Sequence, residues 1–396
     1  MLALNKNLQK LCAIAQKDGK LGIGLMSGTS LDGLDIALCR FVGHGTETQF
    51  KLVNFVTISY GDDFKKEVQS IFARHEVDLE KVCLLNGYIG DFHGQLVLQA
   101  LADWGVSPAD VDFIASHGQT IYHSPKRLHK QAAYPNTTLQ IGDGDHLAAK
   151  TGIFTISDFR QKHIAAGGEG APLALYGDVL LAAKPGENRM LLNMGGIANL
   201  TFLPANGDYA DIISTDIGPG NTLIDAACRE FFGKAFDEDA KIAVSGKIDY
   251  LLLYALLDHP FFSEPPPKTT GPELFNMDYV RQVQKLTDTE NLLPQDVVAT
   301  LTAFTAKSIT DFIQENFPPE NLKIYISGGG AKNKSITSYL QRTLHTEIAE
   351  TSVLGINPDA KEAILFALLG NEALCGEPIA IGNNPAVLMG KFSFPR

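Results

Sequence analysis

Four short glycine-rich segments constrain the fold most strongly, because each follows a run with the apolar composition of a β-strand. Small residues at the end of a strand let the backbone approach a bound ligand closely. One such segment is typical of an ordinary turn, but four in similar surroundings indicate a ligand-binding α/β protein. The segments are residues 26–35 (MSGTSLDGLD), 193–196 (NMGG), 216–221 (DIGPGN) and 327–333 (SGGGAKN).

The order of predicted elements repeats along the chain, which indicates a duplicated fold. Each half reads as strand, glycine turn, strand, strand and helix. We therefore expect two similar α/β halves that face one another across a central cleft. The predicted elements are strands 21–27, 34–41 and 50–59 with helix 61–74, and strands 190–193, 197–203 and 209–215 with helix 221–232.

Length and composition favour a soluble globular protein of two domains. The 396 residues exceed one ordinary core, and we expect an extension at 1–20, a first domain at 21–150 and a second at 151–396. The last helix, about 360–374, is placed in the second domain, and its packing back on the first domain is kept as an alternative. The net charge of −12 argues against a nucleic-acid partner.

The chain shows no sequence signal for a membrane or for secretion. Lysines 6, 10 and 17 interrupt the apolar positions of the N-terminal segment, and no later run is long enough to span a membrane. The five cysteines include no CxxC pair, as expected for reduced thiols in the cytoplasm. The spacing of the histidines argues against a zinc site.

The first glycine-rich segment has the composition of a phosphate-binding turn, although a simple hairpin remains the alternative. Its amides and hydroxyls can donate to phosphate oxygens, and Asp32 or Asp35 can hold Mg²⁺. It lacks the GxxxxGK[ST] pattern, so a P-loop is excluded. The predicted ATP-binding residues here are Gly28, Thr29, Ser30, Leu31, Asp32, Gly33, Leu34 and Asp35.

The other three segments predict the rest of a nucleotide site. The third leads into a helix whose N-terminus can face an anion. The three glycines of the fourth allow a flat group such as adenine or ribose to lie on the backbone. The predicted ATP-binding residues are Gly195 and Gly196, then Gly218, Gly220 and Asn221, and finally Gly328, Gly329 and Gly330.

The wording of these and other motifs resembles the anhydro-N-acetylmuramic acid kinase family, within the actin/hexokinase/Hsp70-like ATPases. The resemblance runs from about residue 21 to the C-terminus, while residues 1–20 and 388–396 look atypical. It implies two ribonuclease-H-like domains with mixed sheets. The motifs are GLMSGTSLDGLD (24–35), SHGQT (116–120), LQIGDGDHLA (139–148), DFR (158–160), GGEGAPLA (167–174), LNMGGIANLT (192–201), DIGPGN (216–221) and ISGGGAKN (326–333).

The resemblance also implies a reaction and its residues. With ATP and Mg²⁺, the enzyme opens the 1,6-anhydro bridge of the sugar with water and phosphorylates the freed 6-oxygen. Asp158 is implied as the general base; from the sequence alone it is equally a helix cap or a partner of Arg160. If Asp158 is not the base, Asp216 and Glu362 are the next carboxylates to test. The implied sugar-binding residues are His117, Gln119, Asp143, Arg160 and Glu362.

Other interpretations stay open at this stage. The first is another sugar or small-acid kinase of the same fold, and the second is an ATP-switched structural or chaperone protein. The proline-rich segment 264–274 (EPPPKTTGPEL) is either a plain connection, which we favour, or a closing loop. We expect ATP and a small sugar as binding partners, and a homodimer remains possible.

Overall fold

Two mixed β-sheets organise the computed structural model, which describes residues 5–357 and 359–396. Each sheet belongs to one of two structural units. The first unit ends at Leu181 and resumes at Gly355, and the second is Ala182–Leu354. This division differs from the expected boundary after residue 150, because the strand at Thr155–Ser157 pairs within the first sheet.

The strands alternate with helices along most of the chain. In chain order the strands are β1 (Gly19–Ser27), β2 (Gly33–Val42), β3 (Gln49–Ser59), β4 (Phe113–Ser124), β5 (Thr137–Ile141), β6 (Thr155–Ser157), β7 (Asn188–Met194), β8 (Ile197–Leu203), β9 (Ile213–Pro219), β10 (Leu322–Ser327), β11 (Glu347–Glu350) and β12 (Lys391–Ser393). The helices are α1 (Lys6–Ala15), α2 (Asp62–Gln69), α3 (Leu79–Asp103), α4 (Lys126–His129), α5 (Gly144–Thr151), α6 (Phe159–Ala165), α7 (Ala174–Ala182), α8 (Thr222–Phe232), α9 (Lys241–Ser245), α10 (Tyr250–Leu257), α11 (Met277–Leu286), α12 (Pro294–Asn316), α13 (Lys334–Leu344) and α14 (Lys361–Cys375).

The two sheets share one topology, which confirms the predicted α/β fold with mixed sheets. In the first unit the order is β12-β6-β4-β1-β2-β3, with β5 also paired to β4. In the second unit it is β11-β10-β7-β8-β9. Each sheet has an antiparallel run of three strands, and the first strand of that run also pairs in parallel with a later strand. The weak sequence repeat is therefore a real duplication of topology.

Helices bury the apolar faces of both sheets. In the first unit α3 packs on the core that contains Ile23, Leu34 and Ile114. In the second unit α12 has the corresponding place, with Leu301, Phe304 and other residues buried against the strands. The last helix, α14, packs on β1, β2 and β4, so it belongs to the first unit. Apolar burial of this kind is the main stabilising term of each core.

The two chain ends are part of the first unit. The Asn7 side chain donates a hydrogen bond to the carbonyl of Pro395 at 3.1 Å, and the Lys10 ammonium lies over the Phe154 ring. Strand β12 pairs with β6. These contacts attach α1 and the C-terminal strand to the sheet. In the part of the chain that the structure describes, no helix has the length and apolar character needed to cross a membrane.

Candidate active site

The first glycine-rich turn joins β1 to β2 and is fixed by its apolar residues. Leu31 has a left-handed backbone (φ +58°) and is buried, and Leu34 is fully buried. The backbone of Gly33 lies against the carbonyl of Ile58, where a Cβ would approach within 2.5 Å. The two leucine side chains therefore belong to the core, and Gly33 allows close packing of the turn. Only backbone groups of these three residues are available to a phosphate.

A buried polar network supports this turn from behind. The Ser27 hydroxyl donates to Gln119 Oε1 at 2.5 Å and is hydrogen-bonded to the Tyr60 hydroxyl at 2.7 Å. Tyr60 in turn contacts His93 Nε2 at 2.9 Å. The Gln119 amide also donates to the carbonyl of Gly28 at 3.3 Å. Gln119 is fully buried. It supports the turn, so the structure argues against the expected sugar contact.

The outer part of the turn has room and negative charge. A Cβ on Gly28 would meet only the Ser30 hydroxyl, at 3.6 Å. Asp32 is exposed, and Asp35 accepts a hydrogen bond from Thr57 at 2.6 Å. Burial raises the pKa of Asp35, and the negative charges of Asp359 and Asp32 add to the rise. A cation would relieve this repulsion, so the carboxylates suit Mg²⁺.

A chain of polar contacts connects three of the predicted sugar-binding residues. Arg160 Nε donates to His117 Nε2 at 2.9 Å, and His117 Nδ1 donates to the carbonyl of Gly118 at 2.9 Å. Burial, with help from the Arg160 charge, lowers the pKa of His117 to about 3. His117 is therefore neutral at physiological pH and acts as an acceptor for Arg160. Glu362 interacts electrostatically with Arg160 and with Asp35.

A cavity of about 480 Å³ opens beside these residues in the first unit. It falls within the size range of small-molecule sites. Among the predicted residues it brings together His117, Asp143 and Asp158. Asp143 caps α5 by accepting a hydrogen bond from the amide of Asp145. Arg160, Gln119 and Glu362 do not line this cavity.

Asp158 makes neither a capping hydrogen bond nor an ion pair with Arg160, the two alternatives considered from the sequence. It stands at the N-cap of α6 in a left-handed conformation (φ +60°), but its side chain makes no capping hydrogen bond. Arg160 binds His117 and the carbonyl of Gly170 instead. The Asp158 carboxylate forms an ion pair with Lys391 of β12. No sequence pattern pointed to Lys391, because it is distant in the chain and stands in a segment that looked atypical.

The remaining three glycine turns converge within the second unit. The Asn221 side-chain amide donates to the carbonyls of Met194 and Gly195, both at 3.0 Å. Gly328 has φ +81°, and a Cβ there would meet the Met194 carbonyl at 2.7 Å. A Cβ on Gly220 would approach the Gly195 carbonyl within 2.4 Å. The turns are thus packed directly on one another at one end of the sheet.

The helix N-terminus in this cluster is already partly satisfied. The amides of Gly220 and Thr222 donate to the carbonyl of Gly196, and the amide of Asn221 donates to that of Gly195. These donors are not directed at a ligand, contrary to the simple expectation for α8. A separate cavity of about 520 Å³ lies where α13 begins, lined by Lys334, Ser335 and other residues. Glycines 328–330 of the fourth turn do not line it.

Asp216, the first residue of the third turn, is a half-buried carboxylate. Its Oδ2 accepts a hydrogen bond from the amide of Thr270 at 2.9 Å. Burial raises the pKa of Asp216, and the Thr270 hydrogen bond opposes the rise. Thr270 belongs to the proline-rich segment, which the sequence had favoured as a plain connection. A carboxyl group whose pKa is perturbed by its surroundings is a candidate for a functional role.

Comparison with known proteins identifies the family. Residues 20–390 match the family model described as anhydro-N-acetylmuramic acid kinase. A relative of that name from Pseudoalteromonas atlantica is 52% identical, over 99% of this chain and 100% of its own length. The chain belongs to the anhydro-N-acetylmuramic acid kinase family. This membership confirms the resemblance and the predicted phosphotransferase class.

Two further members of the anhydro-N-acetylmuramic acid kinase family show how far the match extends. The relative from Pseudoalteromonas translucida is 50% identical over 99% of this chain and 100% of its own length. The one from Caldanaerobacter subterraneus subsp. tengcongensis is 38% identical over 98% and 100%. The ends of the chain, expected to be atypical, are therefore shared with close relatives, although the family model omits residues 1–19 and 391–396.

Proposed function

We propose that this chain uses ATP and Mg²⁺ to convert 1,6-anhydro-N-acetylmuramic acid into N-acetylmuramic acid 6-phosphate and ADP. The family match over residues 20–390 carries the proposal, because it includes the glycine turns and the sugar-side motifs together. Water forms a bond to the anomeric carbon, and the bond from that carbon to the 6-oxygen breaks. The 6-oxygen then bonds to the γ-phosphorus, ADP leaves, and the proton of water passes to a base.

The glycine turns and their acids fit the nucleotide. The open backbone at Gly28 and the hydroxyls of Thr29 and Ser30 would donate to phosphate oxygens. Asp32 and Asp35 would hold Mg²⁺, directly or through water. Within the described residues no three metal-binding side chains gather at one point, so phosphate oxygens would complete the coordination. The ion would neutralise charge during phosphoryl transfer.

The other predicted nucleotide-binding residues lie in the second unit. Gly328, Gly329 and Gly330 begin the segment that leads to α13, and the cavity of about 520 Å³ beside that helix is large enough for a base and ribose. Gly195, Gly196, Gly218, Gly220 and Asn221 form the packed turns beneath. Because their amides at the start of α8 bond to the carbonyls of Gly195 and Gly196, these turns would support the nucleotide site and not donate to the phosphates from those amides.

Three carboxylates are candidates for the general base, and their contacts favour Asp216. A base works best when its pKa approaches the working pH. Burial raises the pKa of Asp216. Asp158, which the sequence favoured, is paired with the Lys391 ammonium through its Oδ2. Glu362 is the third candidate; desolvation raises its pKa and Arg160 opposes the rise.

The sugar would be bound by the polar cluster around His117. Neutral His117 accepts from Arg160 and so fixes the direction of the guanidinium. Arg160, Asp143 and Glu362 then offer donors and acceptors for the hydroxyl and carboxylate groups of the sugar. The predicted cellular setting is the cytoplasm, where the product would enter peptidoglycan recycling. A homodimer stays part of this proposal.

A substrate panel tests the proposal. The purified chain is incubated with ATP and Mg²⁺ and, in separate reactions, with the anhydro sugar, N-acetylmuramic acid, N-acetylglucosamine and glucose. Mass analysis should show a product from the anhydro sugar heavier by one water and one phosphate unit. A product only from a sugar without the anhydro bridge would favour the alternative of a general sugar kinase. ATP hydrolysis without any sugar product would contradict both.

A further inference from the structure

The proline-rich segment at 264–274 is bonded to the edge of the second sheet. Strand β9 is the last strand of that sheet, so one side of it lacks a neighbouring strand. The amide of Asp216 on that edge donates to the carbonyl of Lys268 at 3.0 Å. The amide of Lys268 donates to the Thr215 hydroxyl at 2.9 Å. The segment is therefore held against the edge strand at Thr215 and Asp216.

Lys268 anchors the segment from inside the core. It is only 7% exposed, and its ammonium donates to the carbonyls of Phe261 and Phe262 at 2.7 and 3.3 Å. The same ammonium lies 4.4 Å from the centroid of the Phe261 ring and 4.9 Å from that of Phe312. Burying a charge without an ion pair is costly. These contacts fix the position of the segment against the core.

Thr270 brings two polar groups to Asp216. Its amide holds Asp216 Oδ2 at 2.9 Å. Its hydroxyl oxygen is buried and has no hydrogen-bond partner among the described residues. A buried hydroxyl without a partner costs free energy unless water or a ligand completes it. The free hydroxyl on the residue that holds the carboxylate points to a bound water or a substrate oxygen.

We propose that Lys268 and Thr270 are positioning residues for the reaction: Lys268 fixes the segment, and Thr270 orients Asp216 by its amide and the attacking water by its hydroxyl. This inference rests on the proposed function, in which Asp216 is the base. Lys268 acts through the backbone, since burial and the Thr270 amide are the influences on the Asp216 carboxyl and no charged side chain of the described residues adds to them.

Four variants test the inference. Thr270→Val removes the hydroxyl and keeps the backbone amide, and Thr270→Ser keeps both. Lys268→Met removes the ammonium at nearly constant volume. Thr269→Val is the matched control, because Thr269 is exposed and adjacent to both residues. Thermal melting of each variant verifies the fold before kinetics are measured.

We expect Thr270→Val to lower kcat about tenfold, the size of one hydrogen bond to a charged or reacting group. KM for ATP should stay unchanged, Thr270→Ser should restore the rate, and Thr269→Val should match the wild type. Lys268→Met should lower kcat at least as much. It should also move the acid limb of kcat/KM to higher pH, because loss of the Thr270 amide bond raises the pKa of Asp216.

The outcomes separate this inference from the proposed function. If Asp216→Asn is inactive but Thr270→Val and Lys268→Met behave as Thr269→Val does, the segment is a plain connection and the base assignment stands. If Asp216→Asn keeps the wild-type rate, the base assignment itself fails. A loss in Thr270→Ser equal to that in Thr270→Val would also overturn the inference, because the hydroxyl would then not be the group that matters.

Discussion

The first glycine turn and the three turns of the second unit differ in what surrounds their glycines. At Gly28 a side chain would meet only the Ser30 hydroxyl, at 3.6 Å. At Gly220 and Gly328 it would overlap backbone carbonyls at 2.4 and 2.7 Å. The same residue type therefore serves two purposes. Open space at Gly28 leaves room for a ligand, whereas the packed glycines of the second unit hold its own turns together.

The charged groups of the two units differ in a similar way. In the first unit Asp158 is bound to Lys391 and Arg160 to His117. In the second unit Asp216 is held by one backbone amide, and burial raises its pKa. The charged groups of the first unit are thus paired with side chains, whereas Asp216 is held by a backbone amide. The following predictions test this contrast in order of expected effect.

The largest expected effect separates the two aspartates. Asp216→Asn should lower kcat by at least about 100-fold, because an amide cannot accept a proton and a positioned base contributes about 10²–10⁴-fold. Asp158→Asn, which breaks a partly exposed ion pair, should cost less than about tenfold. Steady-state kinetics with both ligands saturating decides between them. The reverse pattern would return the base to Asp158, and loss only in Glu362→Gln would assign it to Glu362.

The next prediction separates the two kinds of glycine. Gly28→Val should weaken ATP binding by at least about tenfold, because the added side chain enters space meant for phosphate. Its melting temperature should stay near that of the wild type. Gly220→Ala should instead lower stability by about 1–3 kcal/mol, since the Cβ overpacks against Gly195. Calorimetry and thermal melting measure both, and unchanged ATP affinity in folded Gly28→Val would reject the phosphate turn.

A smaller effect is expected at the sugar side. Arg160→Lys loses the forked geometry that reaches both His117 and the Gly170 carbonyl. It should raise KM for the sugar about tenfold, with KM for ATP unchanged. Arg127→Lys is the matched control, because Arg127 forms an exposed pair with Glu169. Equal effects of the two variants on the sugar would show that Arg160 has no special role.

The smallest effect concerns stability at low pH. Among the described residues, the buried histidines are His93, His117 and His163, all in the first unit. Burial lowers the pKa of His93 and of His117 to about 3. Below the unfolded-state pKa near 6.5, the unfolded chain takes up protons that the folded chain does not. The free energy of unfolding therefore falls as the pH falls.

Protonation of these two positions in the unfolded chain should lower the free energy of unfolding progressively as the pH falls below about 6.5. Amide hydrogen exchange, corrected for the intrinsic pH dependence, should show protection lost first in β1 and β4 and later in β7 and β10. Equal loss of amide protection in both units would contradict the difference between the units in their buried histidines. His93→Gln, which leaves the sugar-side residues in place, should reduce the slope.

Local patterns predicted much of the fold. Strand 197–203 was predicted with the bounds of β8. The third strand of the second unit was expected at 209–215 but is Ile213–Pro219, because the glycine and proline of DIGPGN looked like a turn. Strand β4 likewise continues through the polar SHGQT motif, whose glycine is typical of a turn. Edge pairing and burial, which are tertiary effects, overrode the local composition.

The candidate site was harder to predict than the fold. The motifs assigned His117, Arg160 and Glu362 to the same sugar site. In the structure Arg160 bonds to His117 and interacts electrostatically with Glu362. They did not reveal that Gln119 is fully buried behind the first turn. Lys268 gave no signal within EPPPKTTGPEL, since only the folded chain shows its burial between Phe261 and Phe312. Partners distant in sequence cannot be read from spacing alone.

The most direct test of the central claim follows the oxygen of water. The wild-type enzyme is allowed to react with ATP, Mg²⁺ and the anhydro sugar in water enriched in heavy oxygen. After a single turnover, the product is fragmented and its label located by mass spectrometry, with correction for exchange at the anomeric position. We predict label on the anomeric carbon of the sugar phosphate and none in the phosphate group. Label in the phosphate would mean that water attacks ATP, which would contradict coupled opening and phosphorylation.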